Sequence, residues 1–441
     1  MLKLIEENFI ANLNTLKAVN PTTSLGLVLK ANAYNHDIIK VAKLSQKIVD
    51  WYLVSNINEA VAIANLEINK PILILYTFSD DELTSFFESY PNAQSLIAAL
   101  SLVRFSIYSK ESLERLIKFV QKCSEFFQNQ FSNQFSNQDG DQSSDHSVSH
   151  NVNYSSNYSP NLSSNHSPNK IPSSNHIKLC ITCHLNIDTG MHCLGVEDKI
   201  ELEQIIELLR NNQEYIQLEG VWTHLATADE LNSDYYNQQL LCFKDYLREY
   251  FINNSKNNFI KLRIIHFQNT ASYLRQDHSN FELEQFGIPI MARIGLGAYG
   301  HYPSSEIKQL SITKNISLLP ALELRSILTH IKYLKKGDSI SYGCSYVCDK
   351  KTSIGIVPMG YADGYSRMLS NLGTVRIQNQ TCRILGRIRM NMFVVDISNI
   401  QNVKIGDPVI LLGGSDNSQS IDLAAKIENT INYEILTKLK P

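Results

Sequence analysis

Long apolar runs are missing from this 441-residue sequence, so it offers no stretch able to cross a bilayer as a helix. Excess basic charge is missing too: 40 Lys and Arg stand against 43 Asp and Glu, for a formal net charge of -3. Without a basic stripe or polybasic tail, nucleic acid is excluded as the main partner, and a membrane surface is disfavoured on the same ground. The opening MLKLIEENF has acidic residues where a signal peptide needs a basic and then an apolar stretch, so a cytoplasmic protein is expected. Eight cysteines in a chain of this length, without such a signal, read as reduced rather than bridged.

One cysteine spacing needs its own account. Cys180-Ile-Thr-Cys183-His184 matches the c-type haem attachment pattern, and His192 and Cys193 nearby invite a zinc reading. Yet KLCITCHLNID is apolar and β-branched, as a strand is, and alternation along a strand aims neighbours at opposite faces. The second cysteine pair of a zinc site is missing, so no metal is expected.

What is present is length and apolar content. A chain of 441 residues, 43% hydrophobic, exceeds one compact core and predicts two domains. Apolar runs at residues 25–29, 52–55, 72–76, 104–108, 179–187, 218–223, 262–267 and 292–296 alternate with amphipathic, helix-length segments such as 37–48, 110–122, 201–211 and 235–251. Eight such βα units predict an α/β class chain folded as a closed eight-stranded (β/α)8 barrel over residues 1–310. From 311 to 441 short β-rich stretches between Gly- and Asn-rich turns predict a smaller, mostly-β C-terminal domain. Between about 128 and 176 the chain is dominated by Asn, Ser and Gln, with near-repeats FSNQFSNQ and SSNYSPNLSSNHSPN. That composition predicts a disordered surface insertion whose scattered histidines, His146, His150, His166 and His176, are solvated.

The first apolar run ends in a single lysine, Lys30, inside SLGLVLKANAYNHD. A buried parallel strand delivers its last residue to the sheet edge where α/β folds keep their chemistry. KANAY, with His36 two residues on, resembles the lysine segment of alanine racemases, barrel-type pyridoxal-phosphate enzymes in which this lysine holds the cofactor as a Schiff base. The resemblance extends over nearly the whole chain outside the insertion. It implies pyridoxal 5'-phosphate as cofactor, alanine as substrate, interconversion of L- and D-alanine by two bases, D-alanine supply for cell-wall peptidoglycan, and a homodimer with shared active sites.

Position by position, the resemblance makes Lys30 one base and Tyr342, in Ser341-Tyr342-Gly343, the other, donated by the partner subunit. Tyr34 matches the tyrosine that binds the cofactor phosphate, and HFQNTAS puts Thr270 at a phosphate hydroxyl position. MARIGLGAYG is similar to the last barrel strand, implying Arg293 against the pyridine nitrogen and the N–H groups of Gly295 and Leu296 on the phosphate. WTHLATAD supplies His224 beside that arginine, while GYADGYSR and GRIRMNM supply Tyr361 and Met390 to the substrate pocket from the partner.

Departures from the family pattern are as informative. Asn35 and Asp37 stand where glycine is usual, at positions that demand positive φ. Asn186 replaces a lysine that is commonly carbamylated, and Cys193 replaces an arginine that touches the substrate carboxylate. Arg389 stands where a small residue is usual, either a solvated charge or a replacement for that arginine. A catalytically weakened racemase and a broad-specificity amino-acid racemase are therefore alternatives. A barrel-type decarboxylase is a further one, but it wants an acidic residue at the pyridine nitrogen.

Overall fold

The computed structural model describes residues 1–136, 179–252, 259–277, 283–414 and 420–440. Eight parallel strands close on themselves in chain order: β2 (Ser24–Val28), β3 (Trp51–Val54), β4 (Ile72–Ile74), β5 (Val103–Ile107), β6 (Ile181–Asn186), β7 (Ile216–Trp222), β8 (Ile264–Asn269) and β9 (Ile290–Ile294), with β9 paired back to β2. Each strand falls within two residues of an expected apolar run at its start. Strands buried on both faces are rich in apolar residues, which is why near-continuous runs rather than alternating ones mark them, although His184, Glu219, His266 and Arg293 are buried polar exceptions. The helices between them bury one side, as in Lys199–Asn211, where Leu202, Ile205, Ile206 and Leu209 face the barrel.

The N-terminal strand β1 (Leu2–Leu4) does not join the barrel. It pairs with β10 (Leu322–Ile327) at the edge of the second domain's sheet, so the chain's start and its β-rich part are tied together. The remaining strands are β11 (His330–Leu334), β12 (Ser339–Ile340), β13 (Tyr346–Val347), β14 (Thr352–Val357), β15 (Thr374–Ile377), β16 (Gln380–Leu385), β17 (Phe393–Asp396) and β18 (Pro408–Gly413). Their antiparallel sheet runs β1-β10-β18-β15-β16-β17-β14-β11, with β12 and β13 a separate hairpin. Two helices, Ile421–Glu428 and Asn432–Lys438, follow the sheet. The chain end returns to the barrel, where Asn35 Nδ2 donates to the carbonyls of Thr437 and Leu439 at 2.5 and 2.9 Å.

One expectation is corrected. The segment read as disordered from 128 begins inside a helix, Lys110–Ser136, which carries the preceding amphipathic pattern onward. Asn, Ser and Gln are weak rather than forbidden in helices, so a helix already nucleated can propagate into them. Residues 137–176, with their four histidines, lie outside the described residues. The helix Ser305–Thr313 spans the position at which the first domain was expected to end.

Candidate functional site at the barrel mouth

Strand β2 ends at Val28, and the next residues turn in an uncommon way. Ala31, Asn32, Ala33, Tyr34 and Asn35 all have φ between 52° and 64°, forming a left-handed turn, and Asp37 follows at 69°. The positive φ expected at Asn35 and Asp37 is present; its spread over four more non-glycine residues is not what the sequence suggested. L-residues pay about 1–2 kcal/mol each for this conformation, so the turn must be held from outside. It is held densely. Ala33 N donates to Leu29 O at 2.8 Å, Tyr299 hydroxyl to Ala33 O at 2.7 Å, and His36 Nδ1 to Tyr34 O at 2.8 Å. Asn32 Oδ1 accepts from Ile38 N at 2.9 Å, and Asp37 caps the following helix through Ile39 N and Lys40 N.

This turn fixes two functional candidates. Lys30 projects at the strand end, its Nζ 3.1 Å from the Tyr76 hydroxyl and 5.4 Å from that ring's centroid. Tyr34 is buried, and burial raises its phenol above the ordinary range. Its hydroxyl sits against the Gly295 backbone so closely that a Cβ there would lie 2.2 Å from it; only glycine fits. Gly295 N donates to Thr270 Oγ1 at 3.3 Å, and Leu296 opens the short turn Leu296–Tyr299 beside them. Tyr34, Thr270, Gly295 and Leu296 thus converge on one spot at the ends of β8 and β9.

Arg293, on β9, is buried among acceptors. Nη1 donates to His266 O at 2.8 Å and His266 Nδ1 at 3.1 Å; Nη2 donates to Thr223 O at 2.9 Å and His224 Nδ1 at 3.0 Å. The guanidinium also lies 5.1 Å from the Trp222 ring. Burial pulls its pKa down to about 9, which leaves it charged at neutral pH. His224 is driven to about 3 by burial, then by the charges of Arg293 and Lys30, so it is a neutral acceptor. Two features of Arg293 follow: no carboxylate pairs with it among the described residues, and its Nε–H has no acceptor there. A buried cation of this kind calls for a ligand with a hydrogen-bond acceptor and negative charge nearby.

The other expected residues lie elsewhere. Cys193 is exposed in a loop whose shape is set by Asp188, whose carboxylate accepts from the N–H groups of Gly190, Met191, His192 and Cys193 at 2.8–3.1 Å. Asn186 Nδ2 ties that loop through Leu194 O at 2.7 Å, while its Oδ1 is buried with no partner among the described residues. Tyr342, Tyr361 and Met390 gather on the β domain: Tyr361 N and Ala362 N donate to the carbonyls of Arg389 and Met390 at 3.2 and 3.0 Å, and the Arg389 guanidinium lies 5.2 Å from the Tyr342 ring. All three are exposed, by 62%, 45% and 55%. No hydrogen bond or ring contact joins Tyr342 to a barrel residue among those described.

Tyr76 was not singled out from the sequence as a site residue. Its signal was available, since it follows β4 at the same barrel end as Lys30. His266 was quoted in HFQNTAS but given no part, although Arg293 donates to it.

Comparison with known proteins accords with this geometry. The model of the alanine racemase N-terminal domain matches residues 6–120 and 162–303, and that of the alanine racemase C-terminal domain matches 321–441. Alanine racemase of Lactobacillus acidophilus is 28% identical over 425 residues, covering 96% of this chain and 90% of that protein. Alanine racemase 1 of Clostridium acetobutylicum is 33% identical over 262 residues, covering 58% and 62%. The solved alanine racemase of Clostridium difficile 630 superposes with a TM-score of 0.72 at 27% identity, covering 100% of this chain and 93% of that one. That of Bacillus anthracis, solved with bound L-Ala-P, gives 0.72 at 25% identity, covering 100% and 92%.

Proposed function

Since the chain is an enzyme belonging to the alanine racemase family, we propose that it interconverts L- and D-alanine with pyridoxal 5'-phosphate held at the mouth of the barrel, as a homodimer whose sites combine two copies. The observation that carries this reading is Arg293, a buried guanidinium whose two Nη groups are fixed by two neutral histidines and by the carbonyls of His266, Thr223 and, more weakly, Phe267, with the Nε–H left over. An unprotonated pyridine nitrogen is the acceptor such a donor suits, because arginine cannot give its proton away. The cluster of the Tyr34 hydroxyl, Thr270 Oγ1 and the Gly295 and Leu296 backbone at a barrel-strand end suits a phosphate. The residues present therefore fit the cofactor.

When bound, pyridoxal phosphate supplies the electron sink for the charge left on alanine's α-carbon. Lys30 would hold the cofactor, and its Nζ would move a proton on one face of the substrate. The Tyr76 hydroxyl holds that amine in place. Tyr342, presented by a second copy, serves the opposite face, with the Arg389 guanidinium 5.2 Å from its ring. Arg293 stays charged and leaves the pyridine unprotonated, which limits how far charge spreads and discourages side reactions. It also weighs against the decarboxylase alternative, which wants a carboxylate there. Tyr361 and Met390 close the pocket from the β domain, and D-alanine for the cell wall is the product with an evident use.

Chiral chromatography of L-alanine incubated with the cofactor-loaded protein should show D-alanine approaching an equal mixture. Borohydride reduction should place the label on Lys30. A label on another lysine, or no racemisation by protein that has taken up cofactor, contradicts the proposal.

A further inference from the structure

Inside the barrel, below Arg293, a row of buried polar side chains crosses from one strand to the next. Arg293 Nη1 donates to His266 Nδ1 at 3.1 Å, and His266 Nε2 lies 2.9 Å from His184 Nδ1. His184 Nε2 lies 3.4 Å from Glu219 Oε2, which also accepts from Arg104 Nε at 2.9 Å. The five residues come from β9, β8, β6, β7 and β5 in that order. Trp222 stacks on His266 with planes 9° apart, and Trp51 meets the edge of His184, so the row is walled by aromatics. Register shifts at Cys183/His184 and between Ile265 and Gln268 lie at the two histidines. Such irregularities re-aim side chains that regular alternation would place elsewhere.

The two ends of the row fix its direction. A guanidinium only donates and a carboxylate only accepts. Glu219 must therefore receive a proton from His184 Nε2, leaving His184 Nδ1 to accept from His266 Nε2, leaving His266 Nδ1 to accept from Arg293. Read from Arg293 downward the same order results, with both imidazoles neutral and protonated at Nε2. Burial holds both below the usual imidazole range, which keeps them neutral. Burial pushes Glu219 up, but His184 and Arg104 together outweigh it and leave the carboxylate at about 2. Arg104 compensates the carboxylate at the far end, so Glu219 can remain ionised inside the barrel. Reversing His266 would set its Nδ1–H against an N–H of Arg293, and reversing His184 would set its Nδ1–H against His266 Nε2–H and leave a lone pair facing Glu219.

We propose that Glu219 is a positioning residue for Arg293: through the ordered donors of His184 and His266 it keeps an acceptor lone pair under the guanidinium and so holds the Nε–H toward the mouth. Glu219 also pairs with Arg104 at the far end of the row, so the tautomer order, and not stability alone, is what distinguishes its positioning role. The role given to Arg293 rests on the function proposed above; the proton order of the row does not.

The test uses protein labelled with 15N-histidine, with and without pyridoxal phosphate. Long-range 1H–15N correlation distinguishes the two neutral tautomers, with His184→Gln and His266→Gln assigning the signals. Wild type should show both rings protonated at Nε2. Glu219→Gln can keep its carbonyl oxygen where Oε2 stood and should preserve that order. Glu219→Leu should populate the Nδ1–H form of His266, shift the visible band of the bound cofactor, and lower kcat about 10-fold with KM for alanine within about 2-fold. If Glu219→Leu does not fold, the wild-type tautomers and Glu219→Gln still decide. An Nδ1–H imidazole at either position in wild type, or Glu219→Leu with tautomers, band and kcat unchanged, overturns the proposal. A wild type with the expected tautomers that takes up no cofactor overturns the functional reading and leaves the row's order supported.

Discussion

On the barrel side of the candidate site, Tyr34, Thr270 and Arg293 are at most 5% exposed, and Arg293 alone makes four hydrogen bonds of 3.1 Å or less. On the β-domain side, Tyr342, Tyr361 and Met390 are roughly half exposed and are held mainly by backbone pairing beneath them. One half is organised before anything binds. The other presents large apolar and aromatic side chains to solvent, the face that the proposed second copy would cover. The difference teaches where substitutions should act: barrel changes should alter chemistry and cofactor retention within one chain, while β-domain changes should depend on assembly.

The largest effect expected is at Lys30. Lys30→Ala should abolish cofactor attachment and lower kcat/KM by about 10³-fold or more, and Tyr342→Phe should lower it by about 10²- to 10⁴-fold while leaving the visible spectrum in place. A steady-state assay alongside an absorption spectrum separates the two. Loss of the visible band in Tyr342→Phe would erase the distinction between the halves.

Acid should unfold the barrel side first. His36 and His301 are both buried and held at about 4, mainly by burial. A folded pKa below the unfolded one means that the unfolded chain binds more protons below about 6.5, so stability is intact at pH 7 and falls as pH drops through 6 to 4. At pH 5 each contributes a loss of about 2 kcal/mol. Denaturant melts from pH 7.5 to 5 should show it, and His301→Gln should flatten the slope. A stability that is level down to pH 5 would contradict the assignment.

How far the sequence discloses this arrangement differs between the halves. The barrel strands are legible because a strand buried on both faces is a largely apolar run, and Lys30 is legible because it terminates one. Strand β1 is not, since three residues carry no periodicity and its partner β10 lies more than 300 residues away. The left-handed turn from Ala31 to Asn35 escapes notice because its stabilising bonds come from Tyr299, Thr437 and Leu439 rather than from glycine. The row from His266 to Arg104 is hidden for a related reason: alternation says which face a residue takes, but not which strand's residue meets it across a barrel. Composition alone does not show that the helix Lys110–Ser136 runs on into the first residues of the Asn-rich tract.

Smaller effects sharpen the comparison by asking which half holds the substrate carboxylate. An arginine in the Cys193 loop would add charge-assisted hydrogen bonds worth about 1.5–3 kcal/mol. Cys193→Arg should then raise kcat/KM by about 10- to 100-fold if the carboxylate is otherwise poorly held. If Arg389 has taken that task from the β side, Cys193→Arg changes little, Arg389→Ala costs as much, and the double mutant recovers activity. The smallest change expected is Ala31→Gly, which should stabilise the protein by about 0.5–1 kcal/mol by removing Cβ from an exposed left-handed position, measurable by thermal melting; destabilisation would mean that the turn is not left-handed there.

The division of the site between two copies is tested most directly by mixing Lys30→Ala with Tyr342→Phe, each nearly inactive alone. After subunit exchange, verified by mass-tagged heterodimers, half the dimers in an equal mixture are mixed, and each carries one site with both residues intact. About a quarter of wild-type racemase activity should return. Verified exchange with no recovery would show that Lys30 and Tyr342 do not meet across the interface.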